Sequence, residues 1–143
     1  MGTLTISGAW PAKTDNSEAL ILRDEVVESA NGRSWDLLER TAAFGEAIVK
    51  LSRKIPRGPA NDRLVGQLVG AGTSIGANYC EANEAFSKKD FKYTVSRCVK
   101  EAKETKFFLR MIIASEPHLA DEARPLYREA HELLRIFGSM RHR

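Results

Sequence analysis

From residue 37 onward the apolar positions fall alternately four and three apart, the spacing that lines side chains along one face of an α-helix. Leu37, Thr41, Phe44, Ile48, Leu51 and Ile55 make the first stripe, and the prolines and glycine of IPRGPAND end it. Ser34 stands before it as a candidate N-cap. A second stripe, predicted to begin near Asn61, runs through Leu64, Leu68, Ala71, Ile75, Asn78 and Ala82. The third follows Ser87, whose partner three residues on, Asp90, completes a capping-box arrangement. Its stripe is Phe91, Val95, Cys98, Ala102, Thr105, Leu109 and Ile112. The fourth is Leu119, Ala123, Leu126, Ala130, Leu133 and Phe137. Pro125 falls inside it: either Asp121 caps the helix and keeps the proline in the first turn, or the helix kinks there. Four such stripes with short breaks predict an all-α fold, an antiparallel up-and-down four-helix bundle over residues 34–140. Residues 1–33 lack the pattern and read as a non-bundle N-terminal arm; within them ALILRDEVVESA suits a short helix or a strand equally.

The glycines of VGQLVGAGTSIGANYCEA, residues 65–82, raise the question of a phosphate loop. A dinucleotide fingerprint needs a strand before it and a second strand with an acidic residue after it, and here both flanks are helical. A Walker loop needs Lys followed by Ser or Thr after its glycines, and none follows. As helix residues the glycines are costly, each weaker than Ala by about 1 kcal/mol. Gly66 with Gly70, and Gly72 with Gly76, have the small-x-x-x-small spacing that admits a close neighbour. The second helix is therefore expected to pack tightly, against as many as two partners.

With Val95 and Ala102 at heptad position a, the third helix carries Cys98 and Thr105 at d, Val99 and Ile113 at e, and Phe108 at g. That apolar face is wider than a two-position seam. Tyr93, Lys100 and Phe107 fall at the outward position f, and exposed aromatics mark contact surfaces. Tyr93, Phe107 and Phe108 are thus candidates for a subunit interface.

Charge sharpens the picture of the same helix. The whole chain is only mildly basic, with a formal net charge of +3. Residues 1–33 hold three basic and five acidic side chains, whereas residues 87–110 hold eight basic and three acidic. Lys88, Lys89, Lys92, Arg97, Lys100, Lys103, Lys106 and Arg110 could meet phosphates, with Tyr93 or Phe107 stacking on bases. Glu101 and Glu104 dilute that field.

Catalytic chemistry finds little support. Two cysteines are too few for a disulfide scaffold, and Cys98 sits on a core stripe where a thiol behaves as a small hydrophobe. Glu81 with Glu84 and Glu101 with Glu104 could face each other across two helices, as in di-metal bundles. Such sites also need a His three residues after a Glu, and none of the three histidines stands there. Ion pairing between helices, with Asn78 as a polar group setting register, is the expected role of these residues. No leader and no membrane-spanning apolar run is seen, so a cytoplasmic protein with free thiols is expected.

QLVGAGTSIGANYCEANEAFSKKDFKYTVSRCVKEAKETKFFL, residues 67–109, resembles the four-helix bundle proteins encoded in intervening sequences of bacterial 23S ribosomal RNA genes, the S23 family. The matching marks are Gln67-Leu68, Thr73 through Tyr79, Glu81-Ala82, Ser87 through Phe91, Lys100 through Ala102, and Glu104-Thr105. Ser74, Asn78, Glu81, Asp90, Glu101 and Glu104 are therefore taken as structural motif positions. Weaker likeness extends over residues 37–139. The resemblance implies a ring-like homopentamer, no enzymatic activity, no cofactor or small-molecule substrate, and structured RNA or DNA as partner. A structural or protein-interaction module without a nucleic-acid role is the alternative. Two positions depart from the family pattern: Gly70 and Cys80 stand where basic residues are usual.

Overall fold

The computed structural model describes residues 34–142. The expected N-terminal arm, with its undecided segment ALILRDEVVESA, lies outside the described residues. Among those described there are four α-helices: α1 (Ser34–Ser52), α2 (Pro59–Asn83), α3 (Lys88–Ser115) and α4 (Ala120–Met140). A single 3-10 turn, Pro117–Leu119, joins α3 to α4. Ser34, expected as the cap before α1, is its first residue.

Helices adjacent in sequence pack on each other, and α1 closes the bundle more thinly against α4. Every member of the four predicted stripes is buried or half-buried. Phe137, Ile48, Leu68, Ile75, Leu109, Ile112 and Leu133 are fully enclosed, each worth about 1.5–3 kcal/mol of burial. The Tyr79 and Phe137 rings meet at 5.4 Å between centroids, tying α2 to α4.

The caps explain where the helices start, and two differ from expectation. Ser87 caps α3 as predicted, its hydroxyl accepting from the Asp90 N–H at 3.0 Å. α2 begins at Pro59, not near Asn61, because proline at the first helical position gives up an N–H that would lack a helical partner anyway. Asn61 then lies in the first turn and is buried. Its Nδ2 donates to the Pro56 carbonyl and to Glu116 Oε2, both at 2.9 Å, and its Oδ1 accepts from Ser115 Oγ at 2.6 Å. One amide thus fastens the α1–α2 connection to the end of α3. At α4 the helix starts at Ala120, directly after the 3-10 turn, so Asp121 is not the cap. Pro125 consequently lies beyond the first turn, inside the helix. Burial of Leu119 holds that turn against the core and moves the start.

The glycines of α2 divide into two pairs with different surroundings. A Cβ on Gly72 would lie 2.9 Å from both Ile48 Cγ1 and Cγ2, and one on Gly76 would lie 3.1 Å from Thr41 Oγ1 and 3.4 Å from its backbone carbon. These two let α1 approach α2. Among the described residues a Cβ on Gly66 or Gly70 would meet nothing within 4 Å. The tight packing expected of the whole glycine series is therefore realised within the chain at Gly72 and Gly76 only.

Within a single bundle, Gly66→Ala should therefore raise stability by about 0.5–1 kcal/mol through helix propensity alone. Gly72→Ala should lower it despite the same propensity gain, since the added methyl overlaps Ile48. Urea unfolding of both variants, followed by circular dichroism, distinguishes the two glycine environments.

Candidate nucleic-acid interface

The basic side chains of α3 project from a helix whose inner side is settled by its stripes. Val95, Cys98, Val99, Ala102, Thr105, Leu109, Ile112 and Ile113 are buried, so heptad positions a, d and e all face the core. The outward position f is left to Tyr93, Lys100 and Phe107, with Tyr93 68% and Phe107 51% exposed. Phe108 differs from its neighbour: it is half-buried and packs against the chain's own core, with its ring edge-on to Phe107 at 5.1 Å.

The basic residues separate into three groups. Lys88, Lys89, Lys100 and Lys103 stand exposed on the outer face. Arg97, also exposed, leans toward α2, its Nη1 3.8 Å from Glu81 Oε1. At that distance and exposure the ion pair is worth little. Lys92 and Arg110 are half-exposed. Lys106 turns toward α4: its Nζ lies 3.0 Å from His131 Nδ1 and 5.1 Å from the centroid of the Tyr127 ring. An ammonium can only donate, so in this contact Nδ1 of His131 is the acceptor. Arg97 and Lys106, read from the sequence as part of one stripe, thus lean on neighbouring helices at its edges.

The motif residues serve the bundle. Asn78 is buried and donates to the Ser74 carbonyl one turn back at 2.9 Å, so its amide is engaged within its own helix. Ser74 Oγ in turn donates to the Gly70 carbonyl at 2.6 Å. Cys98 is fully buried, its Sγ donating to the Ile75 carbonyl at 3.6 Å, and burial pushes the thiol up to about 12. That contact also sets the register of the antiparallel pair, α3 residue 98 level with α2 residue 75. Reckoned from it, Glu101 lies level with Gly72, and Glu81 with Lys92. The two Glu pairs therefore do not face each other as expected, because the antiparallel register offsets them along the bundle. Among the described residues no group of three His, Cys, Asp or Glu gathers as metal ligands would. Burial pushes the Glu101 carboxyl above its ordinary range, and neighbouring Glu104 adds to this against the opposing influence of Lys100 and Arg97.

Sequence reasoning missed the Arg40–Glu129 pair between α1 and α4. Arg40 Nε and Nη2 donate to Glu129 Oε2 and Oε1 at 2.6 and 2.8 Å, a two-pronged bond that is mostly shielded from solvent. Nothing in the local spacing marks it, since its partners are 89 residues apart. A second feature without a local signal is an open groove of about 540 Å³ between the outer sides of α1 and α2. Among the described residues no helix is long and apolar enough to cross a membrane.

The family model of the 23S rRNA-intervening sequence protein matches residues 33–139. A solved structure from Bacteroides thetaiotaomicron, a protein of unknown function from the S23 ribosomal protein family, superposes with a TM-score of 0.63 at 27% identity. The likeness covers 71% of this chain and 94% of that one. A comparison with curated proteins returns no match.

Two pH effects follow from these environments. A raised thiol pKa lends stability that is complete below the ordinary value of 9.0 and lost as pH rises toward about 12. Cys98 should accordingly resist a maleimide in the folded protein at mildly alkaline pH and react fully in urea, as read by mass spectrometry. For Glu101 the folded carboxyl holds its proton to higher pH than the unfolded one, so its contribution is most favourable at low pH and is lost as pH rises through the folded value. Glu101→Gln should raise the urea midpoint at neutral pH and leave it unchanged where carboxylates are protonated in both states.

Proposed function

We propose, for a chain that belongs to the family of 23S rRNA-intervening sequence proteins, a non-catalytic role as a homo-oligomeric four-helix bundle that holds structured RNA or DNA on the outer face of α3. The observation that carries this reading is the exposure of Lys88, Lys89, Lys100 and Lys103 on one helix, beside the outward ring of Tyr93. Lys88 and Lys89 also sit at the N-terminus of α3, where unpaired backbone N–H groups favour an anion. Phosphate contacts from these side chains give affinity that depends on salt and carries no base sequence preference by itself. A closed homopentamer is the assembly we propose, supported by two aromatic rings left facing water on α3. Self-association would place several copies of the basic face on one particle, so that weak sites act together.

A protein-interaction scaffold is the second reading. Phe86, wholly exposed in the turn between α2 and α3, and the two non-basic positions Gly70 and Cys80 favour it.

Titration of the protein into labelled structured RNA and duplex DNA, at low and near-physiological salt, tests the proposal. Binding should fall steeply with salt. Changing Lys88, Lys89 and Lys92 together to Glu should weaken it and flatten the slope of log affinity against log salt by about two to three. No binding to either nucleic acid at low salt would leave the scaffold reading in its place.

A further inference from the structure

The α1–α2 groove lies on the opposite side of α2 from the core, and the bundle itself does not fill it. Leu38, Ala42 and Val49 line it from α1, and Thr73, Ala77 and Cys80 from α2. On α3, Tyr93, Lys100 and Phe107 form the outward ridge. Antiparallel register relates the two features. With Cys98 level with Ile75, Tyr93 is level with Cys80, Lys100 with Thr73, and Phe107 with Gly66. A Cβ on Gly45 would lie 3.6 Å from Thr73 Cα, so Thr73 is in turn level with Gly45 and its neighbour Glu46, which lines the groove. Ridge and groove therefore overlap in height along the bundle: at 1.5 Å per residue the ridge runs about 21 Å and the α1 wall of the groove, Leu38 to Lys50, about 18 Å. A cationic residue on the ridge stands at the height of an acidic one in the groove.

We infer that the groove receives the α3 ridge of a second copy of this chain. The inference rests on the homo-oligomer reading above and names its contact surface. Copies in a ring are related by rotation alone, so residues at one height in one copy meet residues at that height in the next when the bundles stand along the ring axis. Ridge and groove lie on different sides of the bundle, which makes the contact head-to-tail, the kind that closes into rings. Tyr93 enters the groove beside Cys80 of its neighbour, and Lys100 reaches Glu46. Phe107 covers Gly66 and Gly70, the two α2 glycines for which packing among the described residues gives no reason. The contact takes both Lys100 and Tyr93 out of the nucleic-acid face and leaves Lys88 and Lys89, at the start of α3, to meet phosphate.

Light scattering on the full chain and its variants tests this. Wild type should weigh several chains. Ala77→Arg, which fills the groove, and Phe107→Lys, which spoils the ridge, should each fall to the mass of one chain with the helical circular dichroism intact. Lys100→Glu should loosen the assembly, and adding Glu46→Lys should restore it. Tyr93→Cys, oxidised, should link to the native Cys80 of a neighbour and give a ladder on a denaturing gel, with buried Cys98 a bystander. A wild type of several chains whose mass survives both Ala77→Arg and Phe107→Lys, with no ladder from Tyr93→Cys, overturns the docking while the oligomer stands. A wild type of one chain overturns both. A wild type of one chain in which Cys80 nonetheless resists a thiol reagent would assign the groove to a segment of the same chain instead.

Discussion

Everything in this bundle depends on how closely α1 can lie against α2. The limit is set at two points, where Ile48 presses on Gly72 closer than a Cβ there could tolerate and Thr41 leaves Gly76 only a tight fit for one. Helices usually pack eight to ten ångströms apart, according to the side chains between them. The missing side chains at Gly72 and Gly76 are what let Ile48 and Thr41 of α1 come so close to α2. The conformational entropy that glycine costs the helix is offset by what the approach permits, the enclosure of Ile48 and Ile75. The same approach has an outer consequence. Where two helices meet through small residues, their outward sides present Ala42, Gly45, Thr73 and Ala77, and the groove is the space these small side chains leave.

The second constraint is the width of the apolar face of α3. A strict two-position seam would serve one neighbour, but burial at a, d and e lets α3 serve α2 and α4 together. That central position decides the chemistry of what α3 carries. Cys98 is shut in and held protonated, with its sulfur committed to the Ile75 carbonyl. Lys106 is drawn to the ring of Tyr127 and to His131. The cations left facing water are those at the start and on the outer line of the helix, which is why the useful charge of this chain is local although its net charge is small.

Polar groups hold one connection in place and clamp two of the helices together. Asn61 joins the Pro56 carbonyl, Ser115 and Glu116. Arg40 and Glu129 clamp α1 to α4, where hydrophobic contact is thinnest. Membership of the 23S rRNA-intervening sequence protein family agrees with this division of labour, because the matched region spans the bundle from end to end. Gly70 and Cys80 lie on the exposed side of α2, away from the core. Their effect is on the outer surface, to which they bring no charge.

The sequence by itself determined the four helices, their inner faces and the cap at Ser87, because helical period and capping are local and each stripe carries its own signal. It determined also that the glycine series belongs to a helix, since the flanking pattern excludes a strand. It misplaced the starts of α2 and α4, where burial of Leu119 and the preference of Pro59 for the first turn outweigh the cap residues nearby. Only the tertiary structure decided which glycines face a neighbour, since Gly66 and Gly72 look alike along the chain and differ only in what stands opposite. It alone decided that the two Glu pairs are offset, that Arg97 and Lys106 lean on neighbouring helices, and that Arg40 meets Glu129. Each of these depends on the register and spacing between helices, which arise from contacts between residues far apart in the chain and leave no trace in local periodicity.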